Sequence, residues 1–241
     1  MASRTLVLVV TLSLLASPAL AQIGSVSVEG GVDLVSHYIF RGIGFTNKPT
    51  AQPSLTIGLG ESGFSFNIWG SASLKQRSIQ DAGDKLDFTI SYDRNLGEQY
   101  ENVGLTVGMI QYTFPSLAKG ERLTTEFFAG ASLDAPASPS VTLYRDLGQF
   151  DYWYINGSVG HEIQLTPEGN VSLVISADIG YSDVTDKFEF NHVGASVSLG
   201  VSHSYFSLAP AIGIIRRIED IVEGGGEPTQ VWGGVSLGFA P

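Results

Sequence analysis

The sequence predicts an all-β protein, a transmembrane antiparallel up-and-down β-barrel of about twelve strands, on three observations. The first is a period of two. Residues 193–202 place Val193, Ala195, Val197, Leu199 and Val201 on one face and Gly194, Ser196, Ser198, Gly200 and Ser202 on the other, which is how a strand distributes its side chains. The alternation returns in Val171, Leu173, Ile175, Ala177, Ile179 and Tyr181, and in Val231, Val235, Leu237 and Phe239. The second is the character of the polar face, which carries Gly and Ser where a soluble sandwich would carry Lys, Glu and Arg. The third is that short turns and longer charged loops mostly alternate, as they do in barrels with turns on one side of a membrane and loops on the other.

In chain order the predicted strands begin near 25–37, with Glu29 and Asp33 on the polar face, followed by a long loop over 38–50. Strands at 51–60 and 63–74 flank the turn Gly60-Glu61-Ser62-Gly63, and the loop 75–83 leads to 84–96, with Asp87 and Asp93 on its polar face. Gly97-Glu98-Gln99 turns the chain into 101–113, and the loop 114–121 leads to 122–133, where Glu126 sits between the inward positions Thr124 and Phe128. A turn-rich link at 134–139 opens the strand 139–146. The link 147–149 breaks the alternation, being short where a loop is expected. Strands at 150–164 and 170–182 flank Thr166-Pro167-Glu168-Gly169, with Asp178 on the polar face of the second. The loop 183–189, the strand 190–202, the turn His203-Ser204, the strand 205–216, the loop 217–228 and the strand 229–240 complete the series. Most of these spans reach the roughly 9 to 11 residues that a tilted strand needs to cross a bilayer.

The first 21 residues read as a cleaved signal peptide, with Arg4, an apolar run over 6–16, Pro18 and the small-residue site Ala19-Leu20-Ala21. That run is too short for a spanning helix, which needs about 20 residues. Residues 22–241 then form one barrel domain with both ends on the turn side. The chain holds 24 Asp+Glu against 13 Lys+Arg, a formal net charge of -11, and has no basic stripe, which excludes nucleic acid as a partner. It has no Cys, so disulfides and thiolate metal sites are excluded. Only 15% of its residues are charged and 29 are Gly, a sparse surface for a soluble domain and an expected one for a barrel in lipid. A twelve-stranded barrel has a backbone diameter of roughly 24 Å and a lumen on the order of 10 Å.

Aromatic residues suggest two interfacial girdles. Tyr38, Phe40, Phe45, Tyr112, Phe114, Phe150, Tyr152, Trp153 and Phe188 lie near the loop ends, and Phe64, Phe66, Tyr100 and Phe206 near the turns.

The stretch Val35-Ser36-His37-Tyr38-Ile39-Phe40-Arg41-Gly42-Ile43, followed by Thr46-Asn47-Lys48-Pro49 and Gln52, resembles the first hairpin of the TorF porin family. Ser62-Gly63-Phe64, Trp69-Gly70-Ser71, Asp87-Phe88, Ser91-Tyr92, Thr125-Glu126-Phe127-Phe128-Ala129-Gly130 and residues 138–144 continue the resemblance in family order. It departs at His37, where the family carries a small polar or acidic residue, and at the end, where Ala240 and Pro241 follow the aromatic Phe239. The resemblance implies an outer-membrane barrel of a Gram-negative-type bacterium, in contact with membrane lipid and lipopolysaccharide. It also implies that the last strand, from Trp232 to Phe239, is read by the barrel-assembly machinery.

The candidate lumen and selectivity residues are Glu126, Asp87, Asp33, Asp178, Arg41 and Arg145. Glu126 needs a cationic partner mid-strand; family resemblance points to Arg41 and local spacing to Arg145. Inward carboxylates along a narrow aqueous path would favour cations. The same groups would otherwise form ion-paired struts that fill the interior, and Trp69, Trp232, Tyr144 and Phe128, also inward, could close it. Two functions therefore stand side by side: a porin-like channel for passive diffusion of small solutes or ions, cation-leaning, and a non-conducting structural or adhesion barrel. A soluble exported β-protein is the third reading. Enzyme chemistry is not expected, because Asn156 and Ser158 point to one side of their strand and His161 to the other. No metal or cofactor is expected either, since His37, His192 and His203 are scattered, and the glycines of 224–226 make a flexible loop without the flanks of a phosphate cradle.

Overall fold

A computed structural model describes residues 26–75, 84–97, 100, 102–115, 117, 120–185, 187–218 and 227–241. The proposed signal peptide and parts of the loops 75–83, 114–121 and 217–228 lie outside them.

Twelve strands close into one antiparallel barrel: β1 (Ser27–Val35), β4 (Thr50–Gly58), β5 (Phe64–Ser73), β6 (Lys85–Asn95), β7 (Val103–Thr113), β8 (Leu123–Leu133), β9 (Ser140–Asp146), β10 (Trp153–Gln164), β11 (Val171–Ser182), β12 (Glu189–His203), β13 (Phe206–Arg217) and β14 (Thr229–Phe239). Neighbours in the sheet follow chain order, and β1 closes the ring by pairing with both β4 and β14. Each of these strands overlaps its expected span. The addition is a two-stranded ribbon, β2 (Tyr38–Phe40) and β3 (Ile43–Thr46), folded from the first long loop.

The period of two becomes a difference of exposure. Along β12, Val193, Ala195, Val197, Leu199 and Val201 are exposed, while Gly194 is buried and Ser196, Ser198 and Gly200 are half-buried. Val107, Phe127, Val141, Ile175, Ile212 and Val231 extend the apolar outer face around the ring. Closure gives each barrel strand a hydrogen-bonded neighbour on both sides, as a lipid environment favours. A bulge between β11 and β12 pairs Tyr181 with Phe190 and Gly180 with His192. The extra residue, Asn191, is buried together with His192, so the bulge aims two adjacent side chains inward.

Large inward rings are seated on glycines of the adjacent strand. A Cβ added at Gly108 would meet the Phe128 ring at 2.4 Å, and one at Gly213 the Trp232 ring at 2.5 Å. Both rings therefore lie against the wall and do not stand across the lumen. Gly213→Val is expected to overpack this seat and cost about 1–3 kcal/mol, read as a lower urea midpoint in detergent; an unchanged midpoint would show that Trp232 moves freely.

Candidate functional site

The first long loop turns into the barrel. Tyr38, at 5% exposure, is one of the few deeply buried aromatics. The β2–β3 ribbon turns at Arg41 and Gly42, with φ of 51° and 80°. Two positive φ values in a two-residue hairpin loop match a type I′ turn, which glycine accepts and arginine adopts only against strain. What holds Arg41 there is its side chain. Nη1 donates to Glu126 Oε2 and Nη2 to Glu126 Oε1, both at 2.8 Å, in a bidentate pair. Nη1 also donates to the Tyr152 hydroxyl at 2.7 Å, and Tyr112 donates its hydroxyl to Glu126 Oε1 at 2.7 Å. The guanidinium carbon lies 4.1 Å from the Tyr154 ring centre, 4.6 Å from Tyr144 and 4.8 Å from Phe40. Side chains of both ions are almost inaccessible, at 8% and 1%, so the pair is desolvated and its partners replace the lost water.

A second pair lies beside it. Lys85 Nζ is 2.9 Å from Asp87 Oδ2 and sits over the rings of Tyr112 at 3.9 Å and Phe40 at 4.2 Å. Phe40 thus faces both cations, and Tyr112 joins the two pairs by facing Lys85 and bonding Glu126. Next to Glu126 across the β8–β9 ladder, Asp146 accepts the Thr124 hydroxyl and the backbone N–H groups of Gly148, Phe150 and Asp151. These bonds shape the short link 147–152 and carry Tyr152 to Arg41. On the far side, the hairpin backbone at Gly42 packs against His192. That imidazole donates from Nε2 to Asp178 Oδ2 at 2.7 Å and stacks on Tyr154.

Of the sequence candidates, Glu126 and Arg41 meet directly, with Asp87 in the adjoining pair. Asp33 and Asp178 line a separate cavity of about 370 Å³ beneath the hairpin, with His37, Gln52 and Trp232. Arg145 does not join them: alternation along β9 turns it outward, where it pairs with Asp151 and lies 5.2 Å from the Trp153 ring. The girdle expectation is corrected at the loop end. Tyr38, Tyr112 and Phe114 are buried at 5–6% exposure, and Phe40, Phe45 and Tyr152 belong to the lumen cluster, because the hairpin fills the space they face. Phe150, Trp153 and Phe188 remain exposed there, as do Phe64, Tyr100 and Phe206 at the turn end. Sequence reasoning missed Lys85, Asp146, Tyr152 and His192 as site residues. The parity of Lys85 with Asp87 and of Asp146 with Tyr144 was the available signal.

Below the hairpin, among the described residues, the charged side chains that alternation turns inward are Glu29, Asp33, Asp93, Glu162 and Asp178, all carboxylates. The inward cations Arg41, Lys85 and Arg217 all lie in the loop half. No group of three His, Cys, Asp or Glu side chains suited to a metal ion occurs among the described residues, and no helix there is long and apolar enough to cross a membrane.

A family model described as "Bacterial protein of unknown function (Gcw_chp)" matches residues 20–207. A comparison with curated protein sequences finds no match. Among solved structures, the chain is similar to the KdgM porin (TM-score 0.55, 8% identity, 88% of this chain and 98% of that one). It is also similar to the NanC porin (TM-score 0.52, 11% identity, 89% and 99%). A third similar structure is the COG4313 outer membrane channel from Pseudomonas putida F1 (TM-score 0.52, 11% identity, 89% and 95%). At these identities the likeness is one of fold.

Proposed function

The chain belongs to the Gcw_chp family of bacterial proteins, and we propose that it is an outer-membrane channel for passive diffusion of small solutes or ions, with a preference for cations. The observation that carries this reading is the division of the lumen. Around the hairpin, Arg41 and Lys85 are each neutralised by a carboxylate, while among the described residues the inward Asp and Glu below it have no inward Lys or Arg beside them and Asp178 is bonded to His192. In a narrow, low-dielectric passage such fixed charge raises the local concentration of cations. The seating of Phe128 and Trp232 against glycines keeps two large rings out of the passage. The TorF porin resemblance of residues 35–52 and the porin and channel neighbours support the same class.

Residues 1–21 direct export, the turns face the periplasm and the loops the exterior, and the apolar face meets lipid and lipopolysaccharide. The strand that runs to Phe239 serves the barrel-assembly machinery. The test of selectivity is the reversal potential of the refolded protein in a planar bilayer under a salt gradient. Neutralising Asp33 and Asp178 together (D33N/D178N) is expected to move it measurably toward the non-selective value. A potential unmoved by the double variant would remove these carboxylates from the passage.

A second reading, a non-conducting structural or adhesion barrel, is favoured by one feature: the hairpin is locked to the β8 wall by a bidentate ion pair set among aromatic rings. A folded, heat-modifiable protein that shows no conductance steps would select it.

A further inference from the structure

The hairpin meets the barrel wall differently on its β8 and β14 sides. Towards β8 the contact is the Arg41–Glu126 pair, which cannot open without exposing two desolvated charges. Towards β14 the contact is neutral. A Cβ added at Gly44 would lie 2.8 Å from Gln230 Oε1 and 3.3 Å from Nε2, so the amide rests on the hairpin backbone. Gln230 Nε2 is buried there with no hydrogen-bond partner.

Two cavities come together beside this contact. One, of about 490 Å³ and partly open, is lined by His37, Gly44, Asn47, Glu227, Gln230 and Val231. The second is the cavity of about 370 Å³ lined by Asp33 and Asp178. His37 lines both, and Ile39 and Ile215, which line the second, are the ladder partners of Gly44 and Gln230, so the cavities approach each other beside the Gln230–Gly44 contact.

The geometry points to a permeation path along the β1–β14 side of the hairpin, with Gln230 as the side chain that closes it against Gly44 and a small cation as the solute class. This rests on the channel reading above. Opening here breaks no ion pair and, at Nε2, no hydrogen bond. A rotamer change of one amide suffices, and it relieves a donor left unpaired in the closed arrangement. A cation that passes then meets Asp33 and Asp178.

The chain has no cysteine, so Gln230→Cys introduces a single thiol. The experiment compares unit conductance of wild type, Q230A and Q230C in planar bilayers, before and after a cationic methanethiosulfonate reagent, with labelling verified by mass and folding by heat-modifiable mobility. Q230A is expected to raise unit conductance about twofold, and labelled Q230C to lose more than half of its own. A conducting wild type whose steps are unmoved by both overturns the path and leaves the channel reading standing. No steps in wild type or in Q230A overturns both.

Discussion

Glu126→Gln is expected to free the hairpin from the β8 wall. The substitution keeps the shape of the side chain and an oxygen for Tyr112, and it removes the charge that compensates Arg41. A guanidinium enclosed by Tyr144, Tyr154 and Phe40 then has no anion at hydrogen-bonding distance. Breaking one side of a buried pair typically costs about 3–5 kcal/mol, and the strained φ of Arg41 adds to the drive for release. The barrel ladder is not touched, so the cost falls on hairpin docking. Limited proteolysis should then cut within residues 38–48 far faster than in wild type, while the heat-modifiable barrel band persists. Equal protease resistance of the two proteins would show that the rings, not the ion pair, hold the hairpin.

Ile212→Arg is expected to cost about 2–4 kcal/mol, the penalty for arginine on the lipid face near the midplane of a barrel. Ile212 is 60% exposed, in the middle of β13 and paired with Val197 and Gly233. Its neighbour Ala211 faces inward and lines the cavity with Asp33 and Asp178. Ala211→Arg should therefore leave the urea midpoint of refolding into detergent or lipid vesicles much closer to wild type. One residue thus separates the two outcomes. Equal costs at both positions would argue that the apolar face does not meet lipid.

The barrel was legible in the sequence because its signal is repetitive. Each strand carries its own alternation, and closure follows from an even count of such strands with hairpin connections. The parity that placed Glu126, Asp87, Asp33 and Asp178 inward is the same signal, since a one-residue slip would expose every polar residue to the outer face. The β2–β3 hairpin was not legible as an element. Its strands have three and four residues, too few to establish a period, and its stability comes from partners on β6 to β10, far away in sequence. The girdle reading failed at Tyr38, Tyr112 and Phe114 for the same reason: an aromatic at a strand end stacks equally well on lipid headgroups or on a folded-in loop. Arg145 was misjudged as a partner of Glu126 because local spacing says nothing about face, and alternation along β9 turns it outward. His192 shares the inward parity of Gly194 and Ser196, which was the available signal, whereas the bulge that turns Asn191 inward beside it is invisible to a period of two.

The most direct test of a hairpin-constricted channel is single-channel conductance of the refolded wild type beside a variant in which residues 38–48 are replaced by a short glycine-rich link. Discrete steps with a cation-leaning reversal potential are expected from the wild type, and several-fold larger steps of the same sign from the variant. A correctly folded wild type and variant that are both silent would contradict a lumen open to ions.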